Sequence, residues 1–317
     1  MVFTTEQLKG FAHGCIGFAE KDSAISFLRL TKKQIDVFQS VGESRLDRAL
    51  CSAGVSLAFE TDAAAIQFFY THRHAIAWDH FSFDLYVDGV FDQSRRGAFS
   101  KQPEGEISFS LDGKTHRIDL YFPQYAQIFL HDFSVTDGAF VRPAQSANKK
   151  ILFVGDSITQ GFDVAHASFA FPHVVARRLG VEILNQGVGG HVHDSGVVDR
   201  SDAFSPDLIV VAFGANDYKK EQLEENIEKF YRTLFAAYPN IPVAAVTPIW
   251  STAREDMGEG RKRIANVLSR FETLHVIDGS RLVARLPEFF ADGLHPTEMN
   301  MLLYGVHLSD ALAKILK

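Results

Sequence analysis

Four short blocks in the second half of the chain hold residue types that together could transfer an acyl group. They are Gly155-Asp156-Ser157 with Gly161, Asn185 to Gly190, Gly214-Ala215-Asn216-Asp217, and Asp292-Gly293-Leu294-His295-Pro296. A serine hydroxyl is a poor nucleophile until a histidine takes its proton and donors face the oxygen that becomes negative. The blocks supply each part in order: a nucleophile, two oxyanion donors and a base. Taken singly they have duller explanations. Ser157 after a strand could cap a helix, Asn216 could cap a turn, and Asp292-Gly293 is turn chemistry. Those explanations weaken when all four blocks occur together.

Each block needs an element to present it. Ile151–Val154 is a short apolar run bounded by a polar turn, which predicts a buried parallel strand with Ser157 at its carboxyl end. The runs 182–184, 208–213, 243–246 and 274–277 repeat that pattern. Between them the sequence predicts helices over about 169–179, 222–238 and 261–271, with a last one over about 299–316. In the 222–238 segment Leu223, Ile227, Phe230, Leu234 and Phe235 mark one apolar face. Alternating strand and helix predicts an α/β unit, a parallel sheet with helices on both faces, whose ligand sites collect at the carboxyl ends of the strands.

With these residues in hand, the chain resembles the SGNH or GDSL hydrolases over residues 149–317. Gly-Asp-Ser-Ile-Thr-Gln-Gly at 155–161 matches their first block, with Ile158 where many members have Leu, and Asn185-x-Gly187-x-x-Gly190, Gly214-x-Asn216-Asp217 and Asp292-x-x-His295-Pro296 match the other three. The resemblance implies a flavodoxin-like catalytic domain. It implies that Ser157 attacks an ester carbonyl, that His295 is general base and then general acid, and that Asp292 orients the imidazole. It also implies that the N–H groups of Ser157 and Gly190 and the amide of Asn216 hold the oxyanion. Some relatives use a Ser-His dyad with a backbone carbonyl as orienter, so Asp292 is the assignment the resemblance fixes least. His191 and His193 follow Gly190 and could line the pocket or, with Asp194, suggest a metal, but a His-x-His pair needs further ligands that its spacing does not identify. No metal or cofactor is expected.

The first half reads differently. Alternating runs at Ile25–Arg29, Val55–Phe59, Ile66–Tyr70, Phe81–Val87, Ile107–Leu111 and Ile118–Phe122 have the period of half-buried strands. Asp88-Gly89 and Asp112-Gly113 are hairpin dipeptides. The pattern predicts an antiparallel sandwich of about eight strands, jelly-roll-like. Periodicity is lost over 141–149, which puts a domain boundary near 145: a sandwich at 1–145 as accessory domain and a catalytic domain at 146–317. This layout resembles that of family 2 carbohydrate esterases, which remove O-acetyl groups from sugars, and of some bacterial GDSL acyl-processing enzymes. Most of the many aromatics fall at strand spacing and predict a Phe-rich core. Trp78, in an irregular stretch, and Trp250, after the fourth strand of the second half, are the candidates for contact with substrate.

Bulk properties bound the rest. With 317 residues and 46% hydrophobic content the chain can bury two ordinary cores. A net charge of -7 and no concentrated basic stripe argue against a nucleic-acid partner. No signal peptide or membrane-length apolar run is legible, and Cys15 and Cys51 are the two cysteines. A cytoplasmic protein with reduced thiols is therefore expected. The reading is a serine esterase acting on a short acyl ester, acetyl first, of a carbohydrate or glycoside. A GDSL acyltransferase or thioesterase, and a glycan-binding protein with a relict hydrolase domain, are the alternatives, and homo-oligomerisation is left open.

Overall fold

The structure, a computed structural model, describes residues 1–74, 78–254 and 256–316. The second half is a five-stranded parallel sheet of Lys150–Gly155, Glu182–Gly187, Leu208–Ala212, Val243–Val246 and Leu274–Ile277. Counted along the chain, the strands lie in the order 2-1-3-4-5, the flavodoxin-like order, with its switch point beside the first strand. Alternate residues of each strand face opposite sides, so both faces need cover. Leu152, Val154, Ile209 and Val211 pack with Ile227, Phe230 and Leu234 of the helix Leu223–Ala237. Ile151, Phe153 and Val210 pack with Phe171 and Val175 of Phe171–Leu179 and with Met301, Tyr304 and Leu308 of Glu298–Leu312. The helices predicted from apolar spacing are all present within a few residues of their expected ends.

The first half is an antiparallel β-sandwich. One sheet runs Gly17–Lys21, Ala24–Leu28, Ala126–Val135, Ala65–His74, Glu104–Ser110. The other runs Ala12–His13, Ser56–Thr61, His116–Tyr121, His80–Val87, Val90–Ala98, and Val141–Pro143 joins Ser56–Thr61 beside Ala12–His13. Those two short strands cover the outer edge of Ser56–Thr61, which would otherwise present unpaired backbone. Between the sheets Phe59, Phe68, Phe83, Phe109, Phe122 and Phe133 are buried, with Phe68 stacked on Phe133 at 5.3 Å. Phe69, one residue along, is exposed, as the period of two requires.

Three expectations need correction. Asp88-Gly89 does make a two-residue hairpin, with both residues at positive φ, but Asp112-Gly113 does not. The strands either side of it, Glu104–Ser110 and His116–Tyr121, belong to different sheets, so this turn crosses the sandwich. The sheets hold six and five strands among the described residues, more than expected. The third correction is that the first half is not all strand: Thr5–Phe11, Lys32–Val41 and Glu43–Leu50 are helices. The first two start with capping boxes, Thr4 with Gln7 and Thr31 with Gln34, a start signal present in the sequence.

The sandwich and the parallel sheet meet through specific bonds. Ser82 Oγ accepts the N–H of Ala167 at 2.8 Å, Asp84 Oδ2 that of Ser168 at 2.9 Å, and Gln124 Nε2 donates to Val164 O at 3.1 Å. Arg177 lies over the ring of Tyr86, and the buried His173 sits edge-on to Tyr121 at 4.6 Å. Among the described residues no helix is long and apolar enough to cross a membrane. Burial pushes the His173 imidazole down to about 3, so the folded protein leaves it neutral where an unfolded chain would protonate it at about pH 6.5. Its depressed value gives stability that is present above about pH 6.5 and is lost as the pH falls. Replacing His173→Phe keeps an aromatic ring against Tyr121 and removes the proton. The drop in unfolding temperature on acidification from about pH 7.5 to about 4.5 is expected to be smaller in the variant; an equal drop in both proteins contradicts it.

Candidate active site

Ser157 follows the first parallel strand and opens the one-turn helix Ser157–Gln160. Asp156 caps that turn, its Oδ1 accepting the N–H of Ile158 at 3.1 Å. As the first residue of the turn, Ser157 has no intrahelical acceptor for its own N–H. Ser157 Oγ lies 2.8 Å from His295 Nε2, and both residues are buried. His295 Nδ1 in turn lies 2.8 Å from Asp292 Oδ2. The segment between them wraps around the Asp292 carboxylate, whose Oδ1 accepts the N–H groups of Leu294 at 2.9 Å and His295 at 2.8 Å. Gly293 makes this possible at φ 80, where a Cβ would sit 2.6 Å from Thr252 Oγ1. Burial alone would raise the Asp292 carboxyl, but those two N–H groups and the imidazole outweigh it and hold it below the usual range. An ionised Asp292 fixes the tautomer that leaves Nε2 free to accept a proton from Ser157.

A second carboxylate, which no sequence motif marks, reaches the same imidazole. Asp163 Oδ2 is 3.2 Å from His295 Nδ1. It makes no hydrogen bond there, because the single Nδ1 proton goes to Asp292, so Asp163 acts on the ring through its charge. Its other oxygen accepts Trp78 Nε1–H at 2.5 Å. Burial raises the Asp163 carboxyl, and the Trp78 bond and the nearby imidazole only partly reverse this. Trp78 also stands edge-on to His295 at 6.0 Å and packs on Phe162 at 4.6 Å. Asp163, Asp292 and His295 are the one group of three ligand atoms among the described residues close enough to hold a metal. Within it His295 Nδ1 pairs with Asp292, and Trp78 donates to Asp163.

The loop after Glu182–Gly187 closes the other side. Its Val188 N–H donates to Gly155 O at 2.9 Å, Gly189 N–H to Gln160 Oε1 at 2.8 Å, and His191 N–H back to Val188 O at 3.0 Å. Among the described residues the N–H of Gly190 between them has no acceptor. Gly190 takes φ 75, and a Cβ there would meet the guanidinium of Arg45 at 2.1 Å. Asn216 Nδ2 donates to His191 O at 3.0 Å and, more loosely, to Asp156 Oδ2 at 3.3 Å. Burial, with the charge of Asp217 adding to it, pushes the Asp156 carboxyl up to about 7. The structure therefore brings Ser157, His295, Asp292, Gly190, Asn216 and Trp78 to one place.

The other candidates lie differently. The His191 ring is buried between Phe38 and Phe213, where burial lowers it to about 4, and it meets the site through its backbone. His193 Nδ1 pairs with Asp217 at 3.0 Å, and Asp194 Oδ1 accepts the N–H of Gly196 at 2.8 Å, so both are committed to local structure. Trp250 packs on Phe290 at 5.3 Å. Its loop braces the histidine segment, with Ser251 Oγ and Thr252 N–H donating to Gly293 O at 2.7 and 2.8 Å.

Residues 153–313 match the model of the GDSL-like lipase/acylhydrolase family, and the chain belongs to that family, enzymes that act on esters. No curated relative matches it by sequence. In fold it is similar to the salicylyl-acyltransferase SsfX3 from a tetracycline biosynthetic pathway, at TM-score 0.79 and 16% identity over 96% of this chain and 94% of that one. It is also similar to a protein from Bacteroides ovatus named a putative GDSL-like lipase, at 0.78 and 17% over 100% and 98%. A family two carbohydrate esterase from Cellvibrio japonicus superposes at 0.66 and 15% over 98% and 96%. At these identities the likeness concerns the fold, and it extends across both halves.

Two carboxylates beside one imidazole lead to a kinetic expectation. Removing the orienting carboxylate of a single-carboxylate triad costs about ten-thousandfold in turnover. Here Asp292→Asn is expected to cost only about a hundredfold and Asp163→Asn about tenfold, the double substitution approaching the single-carboxylate loss. Ester hydrolysis assays on the three variants check this, and a full loss from Asp292→Asn alone contradicts it.

Proposed function

We propose that this protein is a serine esterase that removes a short acyl group, acetyl first, from a carbohydrate or glycoside. The observation that carries the reading is the 2.8 Å contact of Ser157 Oγ with His295 Nε2, continued by the 2.8 Å contact of Nδ1 with Asp292. Ser157 Oγ attacks the ester carbonyl while its proton passes to Nε2, and the carbonyl π pair moves onto the oxygen. The N–H groups of Ser157 and Gly190 and the Asn216 amide receive that oxygen, Asn216 giving up its long bond to Asp156. His295 then protonates the departing alcohol, and water repeats the sequence to free Ser157. In this reading residues 1–145 are the sandwich domain and 146–317 the catalytic domain, with the first lending Trp78 to the second.

The short acyl group rests on the layout shared with family two carbohydrate esterases, the family that the sequence resembles and that removes O-acetyl groups from sugars. The carbohydrate part rests on the fold shared with family two carbohydrate esterases and on Trp78 at the site. A second reading, acyl transfer to another alcohol or thiol, is supported by the aromatic cover that Trp78 and Phe162 place over His295, since transfer requires water to be kept away.

The test is turnover of p-nitrophenyl acetate, butyrate and octanoate and of acetylated sugars, with and without added alcohol acceptors, beside Ser157→Ala. Acetate is expected to be the preferred chain, acetylated sugars to release free acetate, and Ser157→Ala to lose at least about a thousandfold. Octanoate preference contradicts the short-acyl assignment. Ester formation on the acceptor in place of free acetate selects transfer, and a Ser157→Ala variant as active as the wild type removes the serine mechanism.

A further inference from the structure

Three arginines from residues 29–48, outside the family-matched region, donate to carbonyls at the end of the strand Glu182–Gly187 and in the loop after it, which carries Gly190. Arg29 Nη1 donates to Asn185 O at 2.8 Å and Gly187 O at 2.7 Å. Arg45 Nη1 and Arg48 Nη1 both donate to Gly189 O, at 2.5 and 2.9 Å, and Arg45 Nη2 donates to Gly190 O at 2.7 Å. Arg45 and Arg48 stand three residues apart on the helix Glu43–Leu50, the spacing that puts two side chains on one face. Among the described residues no ion pair joins either to a carboxylate, and burial is the first cause that lowers both guanidiniums.

Gly189 C=O and Gly190 N–H belong to the same peptide group. A charged donor on the carbonyl end draws electron density from the nitrogen and makes its N–H a stronger donor, and hydrogen bonds in such a chain reinforce one another. Two guanidiniums act on this one oxygen. We propose that Arg45 and Arg48 are positioning residues that polarise and orient the Gly190 N–H for the oxyanion, so that a helix of the sandwich half completes the oxyanion hole. The inference rests on the reading of Gly190 as an oxyanion donor. Two further facts fit it: the Arg45 guanidinium lies where a Cβ on Gly190 would project, and the opposite side of the loop is held by Gln160 Oε1 on Gly189 N–H. As the tetrahedral centre forms, the charge that builds on the substrate oxygen meets a preorganised donor backed by two cations, and the ground-state ester gains much less.

The test uses the full chain with Arg45→Met, Arg48→Met, the double variant and Arg48→Lys, together with Ser157→Ala. Three quantities are measured: kcat and KM on p-nitrophenyl acetate, affinity for a trifluoromethyl ketone that forms an oxyanion adduct with the serine, and unfolding temperature. Each methionine variant is expected to lower kcat about tenfold and the double variant about a hundredfold, the range for a weakened and a lost oxyanion donor, with KM within about twofold. Affinity for the ketone is expected to fall in step with kcat/KM, and Arg48→Lys, which keeps the charge and one donor, to retain most of both. A double variant that folds and turns over within about twofold of wild type overturns the proposal. So does a loss of kcat with unchanged ketone affinity, which would make the arginines supports of the fold alone. Should the double variant not fold, the single variants and Arg48→Lys decide by the same criteria. If Ser157→Ala matches the wild type, it is the serine reading that fails, separately from the arginines.

Discussion

Arg29 is 1% exposed, and a guanidinium so deeply buried is tolerable only if every face of it finds an acceptor. It finds four carbonyls: Cys51 at 2.7 Å, Asn185 at 2.8 Å, Gly187 at 2.7 Å and Arg48 at 2.7 Å. Two belong to the end of the second parallel strand, one to the helix that carries Arg45 and Arg48, and one to Cys51, which follows that helix. One side chain thus ties the sandwich to the loop that presents Gly190. The cost of desolvating it makes the junction specific, because any shift of one half against the other strands a buried charge and several carbonyls together. Burial lowers its guanidinium to about 10, which leaves it charged at neutral pH.

Both walls of the site then depend on the sandwich. On the side of the Gly190 loop stand Arg45 and Arg48; on the histidine side Trp78 donates to Asp163, which faces His295. Beneath them, Tyr125 Oη and Gln124 Nε2 donate to Gly161 O at 3.2 Å, fixing the turn that follows Ser157 and leads to Asp163. The parallel sheet carries Ser157, Gly190, Asn216 and His295, and the sandwich bonds to the loops beside them. An enzyme of this build can change what it excludes or admits by altering sandwich residues while the four blocks stay as they are.

The blocks and the parallel sheet were legible because they are local. A strand buried on both faces reads as a continuous apolar run, and Ser157, Gly190, Asn216 and His295 each sit in a turn whose chemistry is spelled out within a few residues. The helices at 32–50 were missed because the alternating runs around them set the expectation of strand, although Thr31 and Gln34 already marked a helix start. Asp112-Gly113 misled because a turn dipeptide specifies a reversal and not which sheet the next strand joins. Asp163, Arg29, Arg45 and Arg48 carried no signal. Their partners lie between 19 and 158 residues away along the chain for Arg29 and Arg45, and only the docking of the two halves gives them meaning.

Hydrogen–deuterium exchange over residues 185–191, compared between wild type and Arg29→Lys in the full chain, tests most directly whether sandwich arginines hold the loop that carries Gly190. Lysine keeps the charge but cannot reach four carbonyls at once. The account predicts exchange in this loop faster by about tenfold or more, with the Lys150–Gly155 strand still protected. Loop protection equal to that of the wild type would contradict it.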